Sequence, residues 1–469
     1  MTASPLLAKA RADHSRTDIK STLGIRYGTA KRFMAPVAAD GDLTQNTVGA
    51  RWVSPQSGDA YYPQSEDCLF LNVWTSSKLP DGVRRPVMVY CHGGAYSSGS
   101  VTDPLNDGAA LAARGDVVVV TVNHRLNALG YLYLARLDPR FPDSGNAGQL
   151  DLILALQWVQ RNIRTFGGDP ENVTIFGKSG GGAKIATLMA MPAAAGLFHK
   201  AITMSGQQVT ASGPLNATKR AEAFLAKLGT DADPATVPIA QIIAALSATD
   251  PVLGGHVYMG PVVDMRNLHR HPFWPDAAPQ SLHIPMLLGN TVAETRAFFA
   301  PGGKQLAGLN FDNLAGRIAP EMRIDAHPEW LVGEFRARYP QENPEQIFHR
   351  IVTAARSWRG QVEEANARGK TGRNNTFVYQ LDFEQAKHTD DIGLAFGTLP
   401  KPTHAQHKMS AAIMDAFIRF ARNGNPGWNN YDLKERRTMI FDTQSHVVSD
   451  PRKWERELFA RIPYVQPGT

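Results

Sequence analysis

The sequence predicts an α/β protein with a mostly parallel central sheet and helices on both faces. Three observations carry this. Short β-branched runs alternate with longer amphipathic ones through the first half of the chain. Two of the runs, "PVMVYCH" (86–92) and "DVVVVTVNHR" (116–125), are apolar almost throughout, as strands covered on both faces are. A third run, "NVTIF" (172–176), passes straight into a glycine-rich turn that opens a helix.

Taken in order, "CLFLNVW" (68–74) is the first expected strand, followed by 86–92 and 116–125. Helices are expected at 106–115 and 148–168, the second with apolar positions three and four apart and a glycine stop. After 172–176 come a helix to about Met191 and a strand "KAITMS" (200–205). The stretch from 207 to 280 loses the strand rhythm and is alanine-rich, and with 300–370 it reads as helical insertions that roof a pocket. Strands return at "IPMLLGN" (284–290) and "TFVYQLDF" (376–383), and a helix follows at 409–426.

Composition narrows the function. Hydrophobic residues are 43% and charged residues 20% of the 469, values of a soluble globular chain. The longest apolar run is far too short to cross a bilayer, and the N-terminus "MTASPLLAKARADHSR" lacks the hydrophobic stretch of a secretory leader. A net charge of +6 spread without blocks argues against a nucleic-acid surface. Only Cys68 and Cys91 occur, which fits a reducing compartment and excludes a zinc cluster. The expected location is the cytoplasm, and the expected partner is a small molecule, with neither nucleic acid nor membrane.

The turn after "NVTIF" reads "GKSGGG" (177–182) and admits two chemistries. A phosphate-binding loop needs a glycine five residues before Gly177, where this chain has Asn172, and a strand leaves no loop to wrap a phosphate. G-x-S-x-G at Gly177, Ser179 and Gly181 instead makes an elbow that presents a serine nucleophile, with small residues where strand and helix pass closely. Such a serine needs partners. "CHGGAY" (91–96) follows a buried strand as an oxyanion loop does. Glu294 lies four residues beyond "IPMLLGN" and His388 five beyond "TFVYQLDF", in the order serine, acid, histidine. Asp264 competes with Glu294 but precedes the strand that would present it; His404 and His407 compete with His388 but open a helix.

These motifs resemble the type B carboxylesterases, the α/β-hydrolases that include bacterial para-nitrobenzyl esterases and animal cholinesterases. The resemblance runs from about residue 24 to about 455, through "SEDCLFLNVW", "HGGAYSSGS", "NHRLNALGYL", "GNTVAETRAFF", "HTDDIGLAFG" and "RNGNPGWNNYD" in family order. It implies a single α/β-hydrolase domain over 1–469, with its sheet core at about 67–206, 284–299 and 376–469. It implies Ser179 as nucleophile, His388 as general base then acid, Glu294 as the carboxylate orienting it, and Gly94, Ala95 and Gly180 as oxyanion donors. Ser205 matches a position that supports the acid and histidine, and Arg32–Glu66 and Arg125–Asp169 match buried ion pairs. No metal or organic cofactor is implied.

Three departures stand out. Lys178 and Gly180 replace the family's usual glutamate and alanine beside the nucleophile, Cys68 lacks the upstream cysteine of the family disulfide, and the N-terminal region is short, leaving the sheet one hairpin smaller. A lysine beside the nucleophile predicts a preference for neutral or acidic hydrophobic esters over cationic ones; the alternative is that Lys178 folds back onto a nearby carboxylate and its charge is cancelled. Tyr96, Phe273, Trp274, Phe298, Phe299 and Trp358 are candidate pocket walls. The expected activity is carboxylic ester hydrolysis through an acyl-enzyme. An amidase or carbamate hydrolase using the same triad, or a non-catalytic binding protein of this fold, are the alternatives.

Overall fold

The computed structural model describes residues 18–39, 52–78, 82–229, 232–322 and 324–464. The N-terminal residues read above for a leader lie outside them. Ten strands form one sheet: β1 (Ile19–Arg26), β2 (Phe70–Ser76), β3 (Arg85–Cys91), β4 (Val118–Val122), β5 (Gly168–Lys178), β6 (Lys200–Met204), β7 (Met286–Thr291), β8 (Thr376–Leu381), β9 (Arg437–Phe441) and β10 (His446–Ser449). Their order across the sheet is β1-β2-β4-β3-β5-β6-β7-β8-β9-β10. Pairing is parallel from β4 through β9, and antiparallel for β1–β2, β2–β4 and β9–β10.

Hydrophobicity explains the middle of this sheet. Every residue of β3, β4, β6, β7 and β8 is buried, which requires cover on both faces. Alternate residues serve the two faces: Val87, Val89 and Cys91 join one core, while Met88 and Tyr90 join the other with Phe396, Ile413 and Phe417. The strands missed by the sequence reading are β1, β9 and β10, which lie towards the sheet edges. The burial of β9 and β10 is incomplete, so neither shows a continuous apolar run.

Between residues 207 and 280 the structure has helices Pro214–Leu228 and Ile239–Ala245. Phe224 and Ile242 from them pack in one cluster with Tyr96. Between 300 and 370 it has helices Leu314–Met322, Pro328–Arg338, Pro344–Val352 and Arg359–Gly369, the last two joined by a π-helical turn at Thr353–Trp358. Leu331, Phe335 and Ile351 form a separate core there, closed by Leu458 and Phe459 from helix Lys453–Phe459.

One expected ion pair forms and one does not. Arg32 Nε meets Glu66 at 2.6 Å. Arg125, expected against Asp169, pairs instead with Asp151 at 2.6 Å, both buried. Arg125 lies past the C-terminal end of β4, whereas Asp169 begins the parallel strand β5 at the opposite end of the sheet. Asp151 faces Arg125 from the second turn of helix Ala147–Asn162, and the same guanidinium donates to the carbonyls of Lys31 and Met34.

Candidate active site

Because the central strands are parallel, the loops after β3, β5, β7 and β8 all emerge at one end of the sheet, where ligands of open α/β sheets bind. Those four loops carry Gly93–Ala95, Ser179, Glu294 and His388.

Ser179 sits between β5 and helix Gly180–Leu188 with φ 56° and ψ −124°, a left-handed conformation strained for a residue with a side chain. The fold holds it there. Its N–H donates to the Met204 carbonyl at 2.7 Å, and its carbonyl accepts from Ala183 N–H at 3.0 Å. A Cβ at position 181 would fall on the Cys91 carbonyl, and one at 177 would crowd the same atom, so both glycines of G-x-S-x-G are required by close backbone passage.

Glu294 follows β7 and is fully buried. Its Oε1 accepts from the Thr291 N–H at 2.9 Å, and its Oε2 hydrogen-bonds His388 Nδ1. Burial pushes the carboxyl up, but the facing charges of His388 and Lys178 and hydrogen bonds from His388 and Ser205 outweigh it and hold Glu294 at about 2. With Nδ1 committed to the carboxylate, Nε2 is the ring nitrogen of His388 left to meet another partner. The Phe298 ring lies 5.0 Å from the imidazole.

His404 and His407 lie exposed on helix His404–Asn423, whose first turn is capped by Thr403 and Gln406. Asp264 accepts from Asn146 and from the N–H groups of Arg266, Asn267 and Leu268, a turn-holding role. The structure therefore joins Glu294 to His388, engages Asp264 in a turn and leaves His404 and His407 on an exposed helix turn.

Lys178 is only 1% exposed. Its Nζ donates to Ser205 Oγ at 2.5 Å and to Asp391 Oδ2 at 3.0 Å. The substrate-tuning role expected for Lys178 presumed an uncompensated charge facing the pocket; here the ammonium turns inward and is neutralised by a carboxylate. The carboxylate comes from the segment just after His388, on helix Asp390–Phe396. Nothing in the local sequence pairs positions 178 and 391, so this part of the site was not legible there.

The glycine-containing loop expected to hold the oxyanion turns tightly after β3. Gly94 has φ 86° and Ala95 φ 53°, and the Gly94 carbonyl accepts from the N–H groups of Ser97 and Ser98 at 3.1 and 3.0 Å. Gly180 is the first residue of its helix, where a backbone N–H has no partner within the helix. A Cβ there would collide with the Cα, carbonyl carbon and oxygen of Ala95. This explains glycine in place of alanine: the loop backbone occupies the space.

Among the candidate pocket walls, Tyr96, Phe273 and Trp358 are buried core residues. Phe299 packs on Phe348, 5.1 Å between centroids. Phe298, 38% exposed and beside His388, is the one placed against the triad, while Trp274 is exposed and stacks edge-on near His271.

A serine strained at a strand–helix elbow, a buried carboxylate–imidazole pair and a glycine-rich loop at one sheet end define a serine hydrolase of the α/β-hydrolase fold. A model of the Carboxylesterase family matches residues 9–457, and the chain belongs to that family. Para-nitrobenzyl esterase of Bacillus subtilis (strain 168) is 34% identical over 426 residues, 84% of this chain and 83% of the relative. A crystal structure of a carboxylesterase from Geobacillus stearothermophilus superposes with TM-score 0.82 at 31% identity, covering 94% of this chain and 96% of that one. A structure of PNB esterase does so with TM-score 0.79 at 32% identity and the same coverage. The chain is a carboxylic ester hydrolase.

Proposed function

We propose that Ser179 attacks the ester carbonyl while His388 Nε2 takes its proton and delivers it to the departing alcohol. Water then adds to the acyl-enzyme by the same base, and the acid leaves. Glu294 fixes the imidazole tautomer and offsets the imidazolium charge. The N–H groups of Gly94, Ala95 and Gly180 receive the oxyanion. Ser205 holds Glu294 from behind, itself held by Lys178. The observation that carries the reading is the Glu294–His388 hydrogen bond at the same sheet end as the strained Ser179.

The substrates we infer are neutral esters with hydrophobic acyl or alkoxy parts. Half-exposed Phe298 beside His388 supports this, and the Lys178–Asp391 pairing leaves no free charge from Lys178 to attract an acid. We further infer a cytoplasmic location, supported by Cys68 and Cys91, both buried and unbonded to one another. Turnover of nitrophenyl esters from short to long acyl chains, beside matching anilides, tests the substrate class. Faster cleavage of the anilides would replace esterase with amidase as the principal activity, and a preference for cationic esters would overturn the charge argument.

A further inference from the structure

Five residues beyond the nucleophile, Lys184 is a fully buried lysine that the acyl-transfer steps do not use. It lies on the helix that Gly180 opens, on the side facing the end of β3. Its Nζ donates to the His92 carbonyl at 3.3 Å and sits 5.6 Å from the centre of the Tyr96 ring. His92 and Tyr96 bracket the oxyanion loop, Gly93 to Ala95. Helix and loop are interlocked here, since the backbone at Gly181 abuts the Cys91 and His92 carbonyls.

We propose that Lys184 is a positioning residue for the oxyanion loop, its buried ammonium tying His92 to Tyr96 and setting positive charge behind the Gly94 and Ala95 N–H donors. This rests on the assignment of those donors to the oxyanion. The physics is that of a fixed charge in a water-free interior. A carbonyl and an aromatic face stabilise an ammonium without neutralising it, so its field persists where the oxyanion forms. Charged or titratable groups surround it on every packed element. Cys91 lies on β3, His92 on the loop, and His124 with Arg125 after β4, where Arg125 is already paired with Asp151 of helix Ala147–Asn162. His92 and His124 stack with rings 4.6 Å apart, and burial holds both imidazoles neutral, His92 at about 3. Burial likewise keeps the Cys91 thiol protonated, at about 12. These neighbours stay neutral through the working range and leave Lys184 as the group whose charge changes.

Burial pulls that ammonium down to about 7. Its charge is present below this value and is lost as pH rises through it. His388 works in the opposite sense, since it must be neutral to accept a proton. Lys184→Met removes the charge and keeps the length of the chain. We expect kcat for a nitrophenyl ester to fall about tenfold at pH 6 with KM within about twofold, because the field acts on the oxyanion and not on bound ester. The ratio of wild type to variant should shrink towards one by pH 9, and so should the ratio of their affinities for 1,1,1-trifluoro-2-octanone, whose serine adduct carries an oxyanion. Lys184→Arg keeps the charge at every pH and, should the methionine variant fail to fold, must show kcat undiminished between pH 7 and 9 relative to pH 6. A wild-type to methionine ratio independent of pH, or an arginine variant that declines as wild type does, overturns the proposal. Formation of the trifluoroketone adduct by Ser179→Ala would instead overturn the nucleophile assignment beneath it.

Discussion

At the scale of single residues, the site divides into groups that bond to substrate and groups that hold them. Ser179→Ala removes the attacking oxygen, and kcat should fall on the order of a million-fold, as for other triad serines. Organophosphate labelling should vanish with it; labelling at the wild-type rate would sink the assignment. His388→Ala should be as damaging, whereas His404→Ala and His407→Ala should leave kcat within about twofold, since both rings are exposed on a capped helix turn. Glu294→Gln should lose less, roughly ten-thousand-fold, because it orients the base and breaks no bond. Lys178 and Asp391 give a test of sign. Lys178→Met removes the ammonium that opposes the upward push of burial on the Asp391 carboxyl, so Asp391 takes up a proton, no net charge is added beside Glu294 and His388, and the acidic limb of kcat/KM stays in place. Asp391→Asn leaves Lys178 uncompensated and moves it down. At about 7 Å and an effective dielectric of about 20, the Asp391→Asn shift is on the order of one unit. The other groups facing the pair are Ser205 and the phenols of Tyr90 and Tyr379, none of which ionises in this range. A limb that stays in place in Asp391→Asn as well would show that the pair acts only through folding.

Elements set the limits within which those residues work. The elbow is made by β5 running into helix Gly180–Leu188 while the loop after β3 leans across it, so the three backbones share one small volume. Gly180→Ala should therefore push the Ala95 peptide away and remove an oxyanion donor, lowering kcat by about 10²-fold with little change in KM. Adding Ala95→Gly lets the loop turn aside, and the double variant should recover most of the loss. If the double variant is as slow as the single, the Ala95 contact is not what makes glycine necessary.

Across the whole molecule, buried charge makes stability depend on pH in two opposite ways. Glu294 is held at about 2, below the usual 4.5 of a glutamate, so the native state gains from its ionisation. That gain is present above pH 4.5 and is lost as pH falls from there towards 2. Glu364, on helix Arg359–Gly369, is pushed up to about 8 by burial, with only the Gln208 N–H and the charge of Arg368 opposing it. Its sign is reversed: below pH 4.5 the carboxyl is protonated in both states and nothing is lost, and between 4.5 and 8 the unfolded chain ionises while the native one resists. Glu364→Gln preserves the oxygen that accepts from Gln208 at 2.7 Å and removes the ionisation. Its Tm should exceed that of wild type at pH 8 by several degrees and match it near pH 4.5. An equal Tm difference at both pH values would show that the carboxyl is ionised in the native state. Breaking the Arg125–Asp151 pair by Arg125→Met should destabilise by about 3–5 kcal/mol in denaturant unfolding, since it strands a buried carboxylate.

What the sequence determined by itself was whatever depends on neighbours along the chain. Short apolar runs rich in β-branched residues and bounded by turn signals fit covered strands, so β3 and β4 were legible, and so was the elbow that places Ser179 between β5 and its helix. Glu294 and His388 were legible as a pair because they follow their strands by three and seven residues, and parallel strands bring such loops to one end. Tertiary structure decided the rest. Asp151 rather than Asp169 meets Arg125 because one end of a parallel sheet is far from the other. β9 and β10 were hidden because partly buried strands at and next to the sheet edge need no continuous apolar run. The sign of Lys178 was readable at once, but its effect was not, because the carboxylate that neutralises it stands 213 residues away. Electrostatic effects depend on distance in space and on exclusion of water, and only the folded chain sets those two quantities.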